Sequence, residues 1–202
     1  TCDDSLDPTT REKLEKHVKQ WTTNHIRSCL KPFFNLKESE LKGAARGIVF
    51  QLQDRLGFLP KRVVAKQIRR LTKEDHRILK SYGVRIGYQE IFLPTMLRPK
   101  AAALLGLLWA VSKGMERPPS HLIPSLVSLP FRSSLNIGFC NVIGFRRRGP
   151  LLLRVDILER LIGQIRRRLS KGPFVVDAEL LNLAGCDSEK MDGILRALGY
   201  RG

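Results

Sequence analysis

Pro94 and Pro99 divide the most apolar part of this chain, and no other feature narrows the fold as much. Before them, Val84 to Leu93 carries Val, Ile, Tyr, Ile and Phe, which reads as a strand or hairpin. After them, Lys100 to Ser112 reads as a helix. Proline fixes φ and lacks an N–H, so it ends a strand and suits the first turn of a helix. The chain must therefore change from extended to helical across "IFLPTMLRP". That segment reads as a structural corner rather than a catalytic loop, because it has no nucleophile with a base nearby in sequence. The apolar run Ala101 to Val111 has 11 residues interrupted only by Gly106. A membrane span needs roughly 20, so a buried helix is expected and no membrane partner.

Helical spacing dominates the rest. Asp7-Pro8-Thr9-Thr10-Arg11-Glu12 resembles a helix start with a Thr9/Glu12 capping box. Leu14, Val18, Trp21, His25 or Ile26, and Cys29 or Leu30 recur at spacings of three and four up to Pro32. His25 sits on the apolar edge of that stripe and reads as a packed histidine. Ser39 to Leu56 reads as a second helix, in which Gly43 and Gly47 allow close packing. Short helices are expected from Lys61 to Leu71 and from Lys73 to Tyr82. After Gly114, "MERPPSHLIPSLVSLP" carries four prolines and reads as an extended linker.

The remainder predicts a helix near Ser134 to Ile143, a strand from Leu151 to Val155, and helices at Asp156–Leu169, Ala178–Ala184 and Ser188–Leu198. Three helix ends share a phrase, "SYGVRIG", "VIGFRRRG" and "ALGYRG", and glycine just past a helix takes the left-handed cap conformation. The expected fold is mainly α. A helical domain (1–115) with a strand or hairpin near 84–93 precedes a Pro-rich linker (116–132) and a smaller, helix-turn-helix-like helical module (133–202).

Charge gives the functional lead. The net charge is +17, and residues 1–60, 61–120 and 121–202 contribute +2, +9 and +6. Such an excess points to a polyanion, most often nucleic acid, because phosphate neutralisation releases counterions. At about 100° per residue, Arg62, Lys66, Arg69 and Lys73 fall within roughly a 60° arc opposite Val64, Ile68 and Leu71. In the later helix Arg160, Arg167 and Lys171 lie opposite Leu158, Leu161, Ile162, Ile165 and Leu169. With Arg146, Arg147 and Arg148 these are the candidate phosphate contacts, and a solvated charged face is the alternative. The final helix is a poor groove reader, since its outward face shows Glu189, Asp192, Gly193 and Arg196.

No catalytic signature occurs: H-E-x-x-H, G-x-S-x-G, a P-loop and G-x-G-x-x-G are all absent from the sequence. Lys73-Glu74-Asp75-His76 lacks the strand end that a helicase box requires. His25 and Cys29 are one helical turn apart, but two ligands do not close a zinc site. No cofactor is expected in this chain. The four cysteines are widely spaced, which fits a reducing, cytoplasmic compartment. The charged first 20 residues do not read as a signal peptide.

The ordered series "GAARGIVFQL", "YGVRIGYQEIFLPTMLRP", "LWA", "GFRRRGPLLLRVDILERL" and "LAGCDSEKMDGILRALGYR" resembles the region that follows the motor in alphaproteobacterial helicase-related proteins. These are relatives of the RNA helicase of the mitochondrial degradosome, a superfamily-two enzyme. The resemblance runs from about Trp21 onward. It implies an accessory scaffold beside an ATPase core in the same parent chain, with RNA ahead of DNA as the bound strand. ATP hydrolysis carries over to no residue here. A free-standing basic helical nucleic-acid-binding protein, or a protein-docking regulator, is the alternative.

Overall fold

The computed structural model describes residues 7–37, 41–116 and 126–200. The helices in them start and stop where local chemistry dictates. Helix α1 (Pro8–Cys29) is capped by Asp7, whose carboxylate accepts from the Thr10 N–H at 3.1 Å and the Thr9 hydroxyl at 2.8 Å. Those hydrogen bonds, Thr10 first, lower the Asp7 pKa to about 2. The helix thus begins at an aspartate cap, not at the expected Thr9/Glu12 box. Next come α2 (Lys31–Lys37), α3 (Gly43–Asp54), strand β1 (Phe58–Pro60), a 3-10 turn (Lys61–Val64) and α4 (Ala65–Ile68). Ser39, the expected start of the second helix, lies outside the described residues. Gly43 has nothing within 4 Å of a would-be Cβ, so of the expected glycine pair only Gly47 faces a neighbour, Gln67, at 3.9 Å.

Helix α5 (Lys73–Ser81) opens on a reciprocal box, in which the Asp75 N–H donates to the Thr72 hydroxyl and the Asp75 carboxylate accepts from the Thr72 N–H at 2.8 Å. The expected hairpin follows. Strand β2 (Arg85–Ile86) pairs antiparallel with β3 (Glu90–Phe92), and β1 joins the other edge of β3 in the order β1-β3-β2, with Phe58 opposite Phe92. A 3-10 turn (Pro94–Leu97) then makes the corner into α6 (Pro99–Ser112). Leu52, Phe58, Leu59, Ile91, Phe92, Leu93 and Met96 fill the first core.

The second half carries more strand than its sequence suggests. Strand β4 (Ser128–Pro130), helix α7 (Ile137–Val142), β5 (Phe145–Arg148) and β6 (Leu151–Arg154) form an antiparallel sheet ordered β4-β6-β5 with α7 beside it. A two-residue turn with Gly149 at φ 56° joins β5 to β6. Residues 117–125 of the expected linker lie outside the described residues. Helices α8 (Val155–Leu169), α9 (Ala178–Ala184) and α10 (Ser188–Ala197) complete the fold, which is mainly α with two small sheets. The α8 stripe of Leu158, Leu161, Ile162 and Ile165 is buried as expected, whereas Leu169 at its end is exposed. Gly193, expected on the outer face of α10, packs on the β5–β6 turn, where a Cβ would come within 2.7 Å of the Pro150 Cδ.

Residues from both sides of the 116–132 segment meet directly. Helix α6 packs on α7, Val155 belongs to the first core, and a Cβ on Gly144 would collide with Leu97 and reach the Phe58 ring at 2.9 Å. Gly83, Gly144 and Gly199 all have positive φ, 81°, 85° and 89°, at the ends of α5, α7 and α10. The Val84 N–H reaches back to the Leu79 carbonyl and the Tyr200 N–H to the Leu195 carbonyl, both at 2.9 Å, which is the expected capping chemistry.

The stripe on α1 departs from expectation. Leu14, Val18 and Trp21 are 41%, 51% and 61% exposed, and His25 is exposed too, stacked on Trp21 at 5.1 Å. The His25 ring and Cys29 Sγ lie 3.6 Å apart. Among the described residues no third metal-binding side chain joins them, and no helix is long and apolar enough to cross a membrane.

Candidate nucleic-acid interface

The cationic side chains converge on a cavity of about 940 Å³ between the two halves. Its wall starts at the end of α3, where Leu56 takes φ 56° so that the Gly57 N–H can return to the Leu52 carbonyl at 2.8 Å. A leucine in this left-handed region costs roughly 1–2 kcal/mol, so backbone strain sits on the cavity wall beside Asp54 and Arg55. Strand β1 and the turn after it add Phe58, Lys61 and Arg62, α4 and its end add Ala65 and Arg69, and the β2–β3 loop adds Tyr88, Gln89 and Glu90. Asn141 of α7 and Arg146 and Arg148 of β5 close the far side.

Two carboxylates hold these pieces in place. Glu159 of α8 is buried, and it accepts from three successive backbone N–H groups, those of Tyr88, Gln89 (2.9 Å) and Glu90 (2.8 Å). A row of adjacent N–H groups is an anion-binding concavity, and here a side chain of the same chain fills it. Gly87 must be glycine, since a Cβ there would collide with the Glu159 carboxylate. Glu90 in turn makes a two-pronged pair with Arg146, whose Nε and Nη2 each donate at 3.0 Å. Both partners are buried, and the Arg146 Nη1 also donates to the Asn141 and Phe145 carbonyls. With every prong satisfied, the pair ties β5 to β3 at fixed register.

Arg146, Arg147 and Arg148 are therefore not one exposed patch. They lie on a strand, so alternate side chains point to opposite faces. Arg146 is spent on Glu90. Arg147 is exposed and lies over the Phe131 ring at 3.8 Å from its centroid. Arg148 is half-buried at the cavity and donates to the Gln89 Oε1 at 2.6 Å. Burial holds the Arg148 guanidinium below its ordinary pKa; Glu90 opposes that shift, and the nearby Arg146 and Arg62 charges add to it.

The ridge expected over Arg62, Lys66, Arg69 and Lys73 does not lie on one helix. Residues 61–64 form a 3-10 turn, α4 is a single turn, and Thr72 starts a new helix at Lys73. Constant rotation per residue is lost at both breaks. Arg62 and Arg69 line the cavity, whereas Lys66 and Lys73 are exposed elsewhere. On α8, Arg160 and Arg167 lie exposed opposite the core, and Lys171 is exposed just beyond the helix end.

The sequence did not single out Arg55, Lys61, Tyr88, Gln89 or Arg166. Lys61 Nζ donates to the Gly87 carbonyl at 2.9 Å, and Arg166 lies over the Tyr88 ring at 5.2 Å. Among the described residues Arg55, Arg62 and Arg69 make no ion pair. Burial raises the Cys140 and Cys186 thiols above their ordinary pKa, and neither lines the cavity.

Fold and site together define a mainly helical protein with a cation-lined cavity at the junction of two small sheets. No protein-family model, curated protein or solved structure matches the chain.

Proposed function

We propose that this chain is the non-catalytic accessory region of an ATP-dependent RNA or DNA helicase, holding single-stranded nucleic acid and buttressing the motor of the same parent protein in a reducing, cytoplasmic compartment. The observation that carries the binding half is the cavity, where Arg55, Lys61, Arg62, Arg69 and Arg148 gather against Asp54 and an already neutralised Glu90. Arginine donors without carboxylate partners are what phosphate contacts require. The helicase half rests on the ordered resemblance of "YGVRIGYQEIFLPTMLRP" and the segments around it. Reading the coding sequence upstream of Thr1 tests that half, since absence of a P-loop there removes it.

Binding is tested by anisotropy of labelled single strands across a salt series. Arg62→Gln with Arg69→Gln should weaken binding about equally for all sequences and lower the salt slope by roughly 0.7 for each phosphate no longer neutralised. Lys66→Gln with Lys73→Gln should do much less, because those two side chains lie away from the cavity. Equal effects from both pairs would replace the cavity with a diffuse charged surface. One observation favours the second reading, a protein-docking regulator: the exposed row of Leu14, Val18 and Trp21 on α1. On that reading, nucleic acid fails to bind and polar substitutions in the row abolish partner binding.

A further inference from the structure

We propose that the cavity is a site for a phosphomonoester, the doubly charged phosphate of a nucleotide at a strand end or free in solution, rather than for the internal diesters of a strand. For the strand-end source the inference rests on the nucleic-acid reading above.

Charge is the first reason. Glu90 is taken by Arg146 through two hydrogen bonds, which leaves Arg55, Lys61, Arg62, Arg69 and Arg148 around the cavity with Asp54 as the remaining carboxylate. An internal diester brings a single negative charge. A monoester brings about −1.5 to −2 at neutral pH and three acceptor oxygens, and so answers more of this excess from one group.

Size is the second. A volume of about 940 Å³ falls in the range of small-molecule pockets, roughly 300–1,000 Å³. Sequence-independent strand binding uses instead a groove that follows the backbone over roughly 4–16 nucleotides per module. The third reason is preorganisation. Arg148 is fixed before any ligand arrives, with Nη2 on Gln89 at 2.6 Å and Nη1 on the Arg147 carbonyl at 2.8 Å. Arginine has five donors, so this anchoring leaves N–H groups for an anion. The same cavity also offers surfaces for the rest of a nucleotide: the half-exposed Tyr88 ring and the exposed Asn141 amide.

The test uses the protein with three-prime-labelled single strands of about 12 nucleotides that differ only in a five-prime phosphate or hydroxyl. A mirrored pair carries the difference at the three-prime end, and adenosine monophosphate and adenosine serve as competitors. One phosphorylated end should bind at least about tenfold tighter than its hydroxyl counterpart. Adenosine monophosphate should compete where adenosine does not. Arg62→Gln with Arg69→Gln should reduce the phosphorylated strand to the affinity of the hydroxyl strand, and Arg160→Gln with Arg167→Gln should leave the preference intact. Should the first variant fail to fold, the competition pair on the parent protein still decides.

If adenosine monophosphate binds and no strand does, the phosphomonoester site stands with a free nucleotide as its source, and the nucleic-acid reading falls. If strands bind equally whatever their ends and adenosine monophosphate does not compete, the inference is overturned while the nucleic-acid reading survives. If neither binds, both are overturned.

Discussion

Replacing Glu159 by alanine removes one carboxylate from three backbone donors at once, the N–H groups of Tyr88, Gln89 and Glu90. An unsatisfied buried donor costs roughly 1–3 kcal/mol. Water entering the vacated space can serve the part-buried donors of Tyr88 and Gln89 but not readily that of Glu90, which is buried. The expected loss is therefore about 4 kcal/mol, at the upper end of single substitutions. For a chain of this length each kcal/mol lowers Tm by about 2–4 °C, so the midpoint should fall by about 10 °C. Urea unfolding should show a lower midpoint at an unchanged slope. Glu159→Gln keeps the shape but turns an NH₂ toward N–H donors, and should fall between variant and parent. A Glu159→Ala protein within about 1 kcal/mol of the parent would refute the claim that this carboxylate holds the loop.

The same carboxylate allows an internal check. A Cβ on Gly87 would collide with the Glu159 carboxyl group, and would also come within 2.9 Å of the Glu90 carbonyl. Gly87→Ala should therefore cost about 2 kcal/mol or more in the parent, and clearly less once Glu159 is alanine, because the main obstacle has gone. Additive losses in the double variant would mean that the two residues do not touch.

The helix-cap carboxylates set an acid limit. Hydrogen bonds to Thr72 lower the Asp75 pKa, and those to Arg168 and Lys190 lower Asp177 and Asp187. A depressed carboxylate contributes fully above its unfolded pKa of about 3.9 and loses that contribution as pH falls through the folded value. The stability gap between parent and Asp75→Ala should thus be constant from pH 7 to about 5 and close below about 4; a gap that widens in acid would reverse the sign. Gly144→Ala should cost about 3 kcal/mol, from its positive φ together with the collision with Leu97, whereas Gly199→Ala, with nothing within 4 Å, should cost about 1. Equal losses in thermal melts would deny the packing at Gly144. Arg62→Gln with Arg69→Gln should leave the unliganded protein as stable as the parent or slightly more so, since neither side chain has an ion pair to lose; a loss above about 1 kcal/mol in urea would show a structural role instead.

What the sequence made legible was local. Pro94 and Pro99 mark the corner, the 84–93 hairpin forms, the α8 stripe is buried, and Gly83, Gly144 and Gly199 end their helices, because each of these depends on neighbours within a turn or two. The 61–73 ridge was drawn at constant rotation across the break already expected before Lys73, and the 3-10 turn at Lys61–Val64 breaks that rotation again, so of its four cations Arg62 and Arg69 line the cavity. Strand β5 carried no period-2 signal, since "FRRR" has no apolar alternation, and only its pairing with "LLLR" in β6 makes it a strand. The α1 stripe is helical in spacing but finds little to bury it within the described residues.

Glu159 was out of reach for a different reason. On α8 it sits between Leu158 and Arg160, where a carboxylate reads as surface, and its partners lie 69 to 71 residues earlier. No periodicity encodes such a pairing. Its consequence is that the β2–β3 loop, tied to α8, is also a wall of the cavity: Tyr88, Gln89 and Glu90 are held by Glu159 through their backbone, which leaves the Gln89 side chain to hold Arg148 and Glu90 engaged with Arg146. A backbone-held wall has little freedom to rearrange, so the cationic side chains opposite it keep their spacing without a ligand. Binding should then proceed with little ordering of the loop. In Glu159→Ala, where the loop is released, strand affinity measured by anisotropy should fall, although removal of a negative charge that acts on Arg148 would on its own favour an anion; an unchanged or higher affinity would show that the wall does not need its anchor.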